Sequence, residues 1–521
     1  MNFFPRPTRA APRPPPPAHV VAAAPAPPVL EPDAPAAAHW KGTFFAVCGV
    51  FFTAVTLHGY RPSEIARYAA ICMAISIAVS IFFDLRRGIR NLQRADLFAI
   101  VAYYFLTLFE FLFPQKAFDK MLSPESTVAG IQVCLIGFAG LFIGRHLLVP
   151  KQQPFRATLT QEIPRGWMIA IFWIAFFIGY SNMLVAVHFS FPSLIKWFMA
   201  PRFTQPWGRE RLGDWSALLY ELSMLIQLLP PLGGIILARR HRYPPIHVAL
   251  IIAGLALTFF YGFSGGTRNV FATFLVTFLV GYSLALPRGR TRELAVLAGS
   301  CGVVMCFATY FMLAFRDVGL KDYMDGAWTP PVSEVGDKKT LYVDYNLFSI
   351  CKLVEFFPRS HEYLGFEIPY QALIRPIPRA IWPEKPVGLS MSIEDALNVE
   401  GLTIAASFAG EAYMSGGAVA VFLIALGFGA FMGWWGSLAS PRNSEIGHLV
   451  YSSGFFAAVI SMRSLFVFTT ALLPTAVAII ISTVLVRIIV SQTRKFLQRS
   501  RRPLPRVRPE PPLPPRPARR A

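Results

Sequence analysis

Apolar residues in this chain come in long unbroken runs rather than in the interrupted stripes of a soluble amphipathic helix. Runs near 43–58, 66–83, 96–113, 128–149, 167–188, 216–238, 246–263, 269–286, 294–315, 412–437, 447–462 and 466–490 approach the roughly 20 apolar residues that carry a helix across a bilayer. A helix built from such a run satisfies its backbone hydrogen bonds internally, which hydrocarbon demands of any segment that crosses it. The pattern predicts an all-α polytopic membrane protein of about twelve transmembrane helices. Three polar stretches interrupt the weave: a Pro/Ala-rich segment at 1–41, a large loop at 316–403 between the ninth and tenth runs, and a Pro/Arg-rich segment at 491–521. Helices one to nine are expected within 42–315 and helices ten to twelve within 404–490.

Composition agrees, with 54% hydrophobic and 15% charged residues among 521. The formal charge of +20 changes the picture only once it is located. Residues 1–41 carry four Lys/Arg against two acids, and 492–521 carry ten against one. More than half of the excess therefore lies in tails whose Pro-rich composition offers too little apolar surface to offset chain entropy, and both are read as disordered. The C-terminal tail is expected to rest on anionic headgroups, and no nucleic-acid partner is expected. About forty Pro-rich residues precede the first apolar run, so Gly42 to Leu57 reads as a retained anchor rather than a cleaved signal peptide.

Charge also orients the weave. The short loops at 84–95, 145–166, 239–245, 287–293 and 438–448 hold 15 Lys/Arg, whereas those at 59–67, 114–127, 189–215, 264–268 and 462–465 hold 10. The tails add 14 to the first side, which the positive-inside rule makes cytoplasmic. The 316–403 lobe, with thirteen of the 29 acids, is then extracytoplasmic. Cys48, Cys72, Cys134, Cys301 and Cys306 fall within runs and only Cys351 in the lobe, a distribution with neither a disulfide framework nor metal-ligand spacing. No cofactor or metal is expected.

A charge in hydrocarbon is expensive, so an ionisable residue in or beside a span is a functional candidate. Glu110, Glu221 and Glu411 lie toward the outer ends of their runs and none at a midplane. That placement favours a site open to the outer leaflet over a coupled transporter, which would use a midplane carboxylate and broken helices. Basic residues gather on the same side: Arg202, Arg209, Arg211, Arg268, Arg316, Arg375, Arg379, Lys385 and Arg463. Arg202 to Gly213 reads RFTQPWGRERLG, in which arginine forks suited to bidentate phosphate contacts sit in a stiff Pro/Trp/Gly frame. Its competing reading is an interfacial helix over Ser193 to Phe203.

Ser264 to Arg268, SGGTR, joins two spans in five residues. It reads either as a nest of glycine N–H groups for an anion or as a hairpin turn with a snorkelling arginine. Ile377 to Pro386 has three prolines in ten positions and is excluded from regular helix or central strand. Glu411, in SFAGEAY at the head of the tenth span, is either a partner of the helix dipole or an acid/base or arginine orienter. His361, the sole lobe histidine, is a lesser candidate for a general base.

In these features the chain resembles the O-antigen polymerases, the Wzy-like oligosaccharide repeat-unit polymerases. The resemblance rests on the Arg202-x10-Gly213 element, on the long loop ending in IPRAIWPEKP and SFAGEAY, and on the SGGTR turn, covering roughly 195–470. A second Arg-x10-Gly in the long loop, which members can carry, is absent or altered here: Arg316, Arg359, Arg375 and Arg379 are followed eleven positions on by Ala327, Tyr370, Pro386 and Ser390. The resemblance implies transfer of a growing glycan between undecaprenyl-pyrophosphate carriers on the periplasmic face of the inner membrane, with a chain-length regulator and a flippase as partners. Arginines could stabilise the diphosphate leaving group without a cation, Arg202, Arg268, Arg379 and Arg463 converging on it, with Glu411 and then His361 as base. A glycan ligase of similar architecture, a flippase or transporter, and a non-catalytic assembly component are the competing readings.

Overall fold

The computed structural model describes residues 37–500 apart from 151–154, 202–203, 208–214, 288, 316–317, 327–345, 378–380, 383, 387, 392–405 and 441. Among the described residues every regular element is helical. In order these are α1 (Trp40–Thr56), α2 (Pro62–Leu85), α3 (Ala95–Thr107), α4 (Pro124–Gly144), α5 (Arg156–Thr160), α6 (Arg165–Ala186), α7 (Phe191–Phe198), α8 (Trp215–Leu222), α9 (Leu229–Ala238) and α10 (Pro245–Ser264). They continue with α11 (Arg268–Ala285), α12 (Thr291–Phe315), α13 (Leu320–Met324), α14 (Asn346–Phe356), α15 (Glu367–Ile374), α16 (Ser407–Gly436), α17 (Glu445–Ile460), α18 (Phe468–Ala471) and α19 (Leu473–Ser500).

Nine segments among the described residues are long and apolar enough to cross a membrane, and three shorter apolar helices, α1, α3 and α17, fall on the remaining predicted runs. Local chemistry sets several ends. Pro62, Pro124 and Pro245 sit in the first turns of α2, α4 and α10, where a missing N–H leaves no helical bond unmade. The 216–238 run is not uniform helix: Pro230 and Pro231 open α9, and Ser223–Leu228 before them winds as a tighter 3-10 turn. α3 stops at Thr107 rather than 113, giving way to a 3-10 turn over Phe109–Leu112. α19 runs on to Ser500, so the start of the basic segment expected to be disordered is helical. The rest of that tail, and residues 1–36, lie outside the described residues.

Small residues set the closest packing. α16 lies against α4, where a Cβ on Gly429 would come within 2.6 Å of the Leu141 carbonyl oxygen and one on Gly140 within 2.7 Å of the Ala425 methyl. α11 meets α9 the same way, a Cβ on Gly281 coming within 2.5 Å of the Pro231 carbonyl oxygen. Gly140/Gly144 and Gly429/Gly433 thus form two small-xxx-small faces that let backbones approach, the contact that replaces hydrophobic burial when the solvent is itself apolar.

Contacts between helix ends fix the weave. One end brings together the head of α1, the foot of α2, the head of α3 and the foot of α4 through Thr43, Asp84, Arg94 and Arg145. It also joins the foot of α9 to the head of α17 through Arg239, Tyr243 and Glu445. The other end carries the lobe: Asn346 donates to the Leu106 carbonyl oxygen, Ser126 at the head of α4 donates to Glu355, and Lys321 N–H donates to Met199 O. We call these the arginine-rich end and the lobe end.

Candidate functional site

The lobe end centres on α16, the helix expected to begin at 412 and run unbroken. It begins at Ser407 and breaks at Gly416–Gly417, where Gly417 has φ 64° and ψ −154°, a region open only to glycine. The Tyr363 hydroxyl closes on the break, 2.8 Å from where a Gly417 Cβ would stand. The half-helix Ser407–Ser415 is thus set apart from the rest of α16, and its first residue is itself strained, Ser407 having φ 64°. The Ser407 hydroxyl is fully buried with no hydrogen-bond partner among the described residues. Left-handed backbone at a non-glycine residue costs on the order of 1–3 kcal/mol and collects at sites where geometry serves function. The broken helix removes part of the reason for disfavouring a transporter.

Glu411 is buried in this half-helix at 2% exposure. It is the fifth residue of the helix rather than a first-turn partner of its dipole, and its oxygens look sideways. Oε1 accepts from Ser464 Oγ at 2.7 Å and Oε2 from the Phe466 N–H at 3.1 Å. The carboxylate therefore organises the turn after α17, and the Phe408 N–H does the same by donating to the Met462 carbonyl oxygen. That turn carries Arg463, half-buried, whose guanidinium has neither a hydrogen-bond nor an ion-pair partner among the described residues. Of the two functional readings of Glu411, orienter of an arginine fits its contacts better than free base.

Arg375 joins the cluster from the lobe. It caps α15, which is tied to the 465–469 segment by Thr469 Oγ1 donating to the Ala372 carbonyl oxygen, and its charge reaches Glu411. Lys385 spends two of its N–H groups on the carbonyl oxygens of Arg375 and Ile377, both at 2.9 Å. It thus closes the end of α15. Four of the predicted residues, Glu411, Arg375, Lys385 and Arg463, are brought together from three stretches of sequence.

His361 lies on the other flank. Its Nδ1 donates to the Glu362 carbonyl oxygen at 2.6 Å, which leaves Nε2 as the acceptor, and its ring meets Phe357 edge-on at 5.8 Å. Phe357 stacks on Tyr363, and Tyr363 meets Tyr413 at 5.8 Å. Glu411 and Tyr413 are two residues apart, about 200° around a helix of 3.6 residues per turn. His361 and the Ser464 turn therefore flank opposite faces of the half-helix.

The SGGTR turn does not form an anion nest. Gly265 N–H donates to the Tyr261 carbonyl oxygen and Gly266 N–H to that of Phe263, so both are consumed in ending α10, with Gly266 at φ 63° making the reversal. Arg268, half-buried at the head of α11, shares the lobe end with Arg463. α7 is a short helix with Leu194 and Phe198 buried and Phe191 exposed, the two-faced form of an interfacial helix. Arg202, Arg209, Arg211, Gly213, Arg316 and Arg379 lie outside the described residues.

Sequence reasoning missed the charges at the arginine-rich end. Arg94 donates from Nε to Asp96 Oδ1 at 3.0 Å and from Nη2 to Asp84 Oδ2 at 2.9 Å, while Arg145 Nη1 stands 3.9 and 4.0 Å from the same two carboxylates. None of the four side chains is more than 1% exposed. Burial and the neighbouring Arg94 pull the Arg145 guanidinium down to about 10. A second cluster has Glu445 accepting from Arg239 and Arg242, each at 3.3 Å, and from Tyr243 at 2.6 Å. Burial first, and Glu445 next, push the Tyr243 phenol above its ordinary value. The available signal was Arg145, a charge inside the predicted 128–149 run.

Residues 345–491 match the family model of a domain of unknown function, DUF8712. The matched segment begins one residue before α14 and holds Glu411, Arg375, Lys385, Arg463 and His361, so the described part of the site falls within one recurrent sequence unit. No curated protein and no solved structure matches the chain.

Proposed function

We propose that this chain crosses the bacterial inner membrane twelve times with both termini in the cytoplasm. On its periplasmic face it polymerises undecaprenyl-pyrophosphate-linked oligosaccharide repeat units for a surface polysaccharide. The observation that carries this reading is the lobe-end cluster. A strained, buried half-helix holds a carboxylate, the carboxylate holds a turn, and the turn carries Arg463, whose guanidinium has no partner among the described residues, while the charge of Arg375 reaches the same carboxylate. Glycosyl transfer from a lipid diphosphate asks the protein for fixed positive charge at a leaving group that is already good. Arg463 and Arg375 would meet the diphosphate, Glu411 would be the positioning residue beneath them, and His361 Nε2 is the nearer fit to a base. Arg202, Arg268 and Arg379 are assigned to the same diphosphate on the resemblance alone.

The test is gel analysis of surface polysaccharide in a deletion strain complemented with Arg463→Lys, Arg463→Ala or Arg375→Ala. Shortened glycan with single-repeat caps is expected, and normal long chains in all three would overturn the proposal. The break in α16 favours a second reading, a flippase or other transporter, since discontinuous helices line substrate paths. That reading predicts lipid-linked repeat units trapped on the cytoplasmic face instead of capped products outside. A ligase would leave long polymer unattached to its acceptor.

A further inference from the structure

α12 is packed unlike the other long helices. No residue from Thr291 to Phe307 is buried; Ala308, Met312 and Phe315 pack with Phe271 near the lobe end, and in the other half of the helix Leu294 and Leu297 are partly buried against the main core. Its other half stands beside α11 with an open cleft of about 630 Å³ between them at the arginine-rich end. Tyr282, Arg290, Arg292 and Glu293 line the mouth, with Val296 and Leu297 behind them. Apolar walls leading to a cationic rim have the polarity profile of a phospholipid rather than of a soluble anion.

The charges at the rim are unequal. Glu293 accepts from the Tyr282 hydroxyl and from Arg290 Nη1, the latter at 3.2 Å, so Arg290 is partly satisfied and one carboxylate already faces the cleft. Arg292 is exposed and has no partner among the described residues. Arg240 lies close enough to act electrostatically on both Tyr282 and Glu293. Three arginines against one carboxylate leave uncompensated positive charge where helix ends meet headgroups.

We propose that this cleft holds an anionic phospholipid, its phosphodiester between Arg290 and Arg292 and one acyl chain along Val296 and Leu297. The lipid fills the space that α12 leaves against α11 and ties that helix to the bundle. Delipidated full-length protein is titrated with phosphatidylglycerol, with phosphatidylcholine of the same chains, or with inorganic phosphate, reading bound lipid by native mass spectrometry and thermal stability in parallel. Phosphatidylglycerol is expected to bind and stabilise, and each arginine replaced, as Arg290→Gln or Arg292→Gln, to weaken it about fivefold. Glu293→Gln removes the competing carboxylate and should tighten binding. Arg292 is exposed and makes no hydrogen bond or ion pair among the described residues, so loss of binding in its variant is not loss of fold. Equal retention by phosphatidylcholine, equal stabilisation by inorganic phosphate, or undiminished phosphatidylglycerol binding in Arg290→Gln/Arg292→Gln would overturn the proposal.

Discussion

Arg94→Met removes a guanidinium while keeping most of the side chain's bulk, leaving Asp84 and Asp96 buried with Arg145 as their one remaining cation. In the native cluster each carboxylate lies about 3 Å from Arg94, a gross attraction of about 5 kcal/mol per pair at an effective dielectric of roughly 20. Much of that is offset by the desolvation of all four groups. Breaking such a cluster on one side nonetheless leaves an unmatched charge in the protein, at a net loss of about 3–5 kcal/mol. The cluster links α1, α2, α3 and α4, so the loss should appear as global destabilisation, measured by thermal unfolding of detergent-solubilised protein. Arg94→Met/Asp96→Asn restores neutrality, with Arg145 facing Asp84, and should recover at least about half of the loss. A single variant within about 1 kcal/mol of the parent, or a double variant no better than the single, would refute the view that charge balance and not packing holds this end.

Ser464→Ala deletes the side-chain donor to Glu411 at a cost of about 1.5–3 kcal/mol for a hydrogen bond to a charged group. If Glu411 positions Arg463, polymer length should fall in Ser464→Ala as it does in Glu411→Gln. If Glu411 is instead the base, only Glu411→Gln should fail. At the arginine-rich end, burial and the adjacent Arg145 hold the His146 imidazole down to about 4. Thr43 Oγ1 accepts from Arg145 Nε and so donates to His146 Nε2, at 2.6 Å. Because the unfolded chain protonates near the ordinary value of 6.5, this contribution is complete above that pH and lost as pH falls toward 4. His146→Gln should flatten that acid limb in a pH series of melting temperatures. Gly417→Ala forces a side chain into backbone that essentially only glycine adopts, on the order of 1–3 kcal/mol, and against the Tyr363 hydroxyl. Tyr363→Phe should relieve the clash but not the strain, so the double variant should recover only part of the lost melting temperature.

The sequence by itself determined where the helices lie, because uninterrupted apolar runs allow no other structure in a bilayer and prolines and glycines mark many of their ends. Helix is present on each of the twelve predicted runs. Side-chain partnership was not legible. Glu411 and Ser464 are 53 positions apart and Arg94 and Arg145 are 51 apart, and periodicity constrains a residue's own helix but not what stands opposite it. Tertiary structure decided that Glu411 faces the 463–466 turn rather than the helix dipole, that the SGGTR amides are spent on α10, and that Lys385 is a cap. The break at Gly416–Gly417 belongs to the same class. Two glycines in an apolar run are common where helices pack closely, as at Gly140 and Gly144, and only the packing of Tyr363 over one of them distinguishes a hinge from a contact.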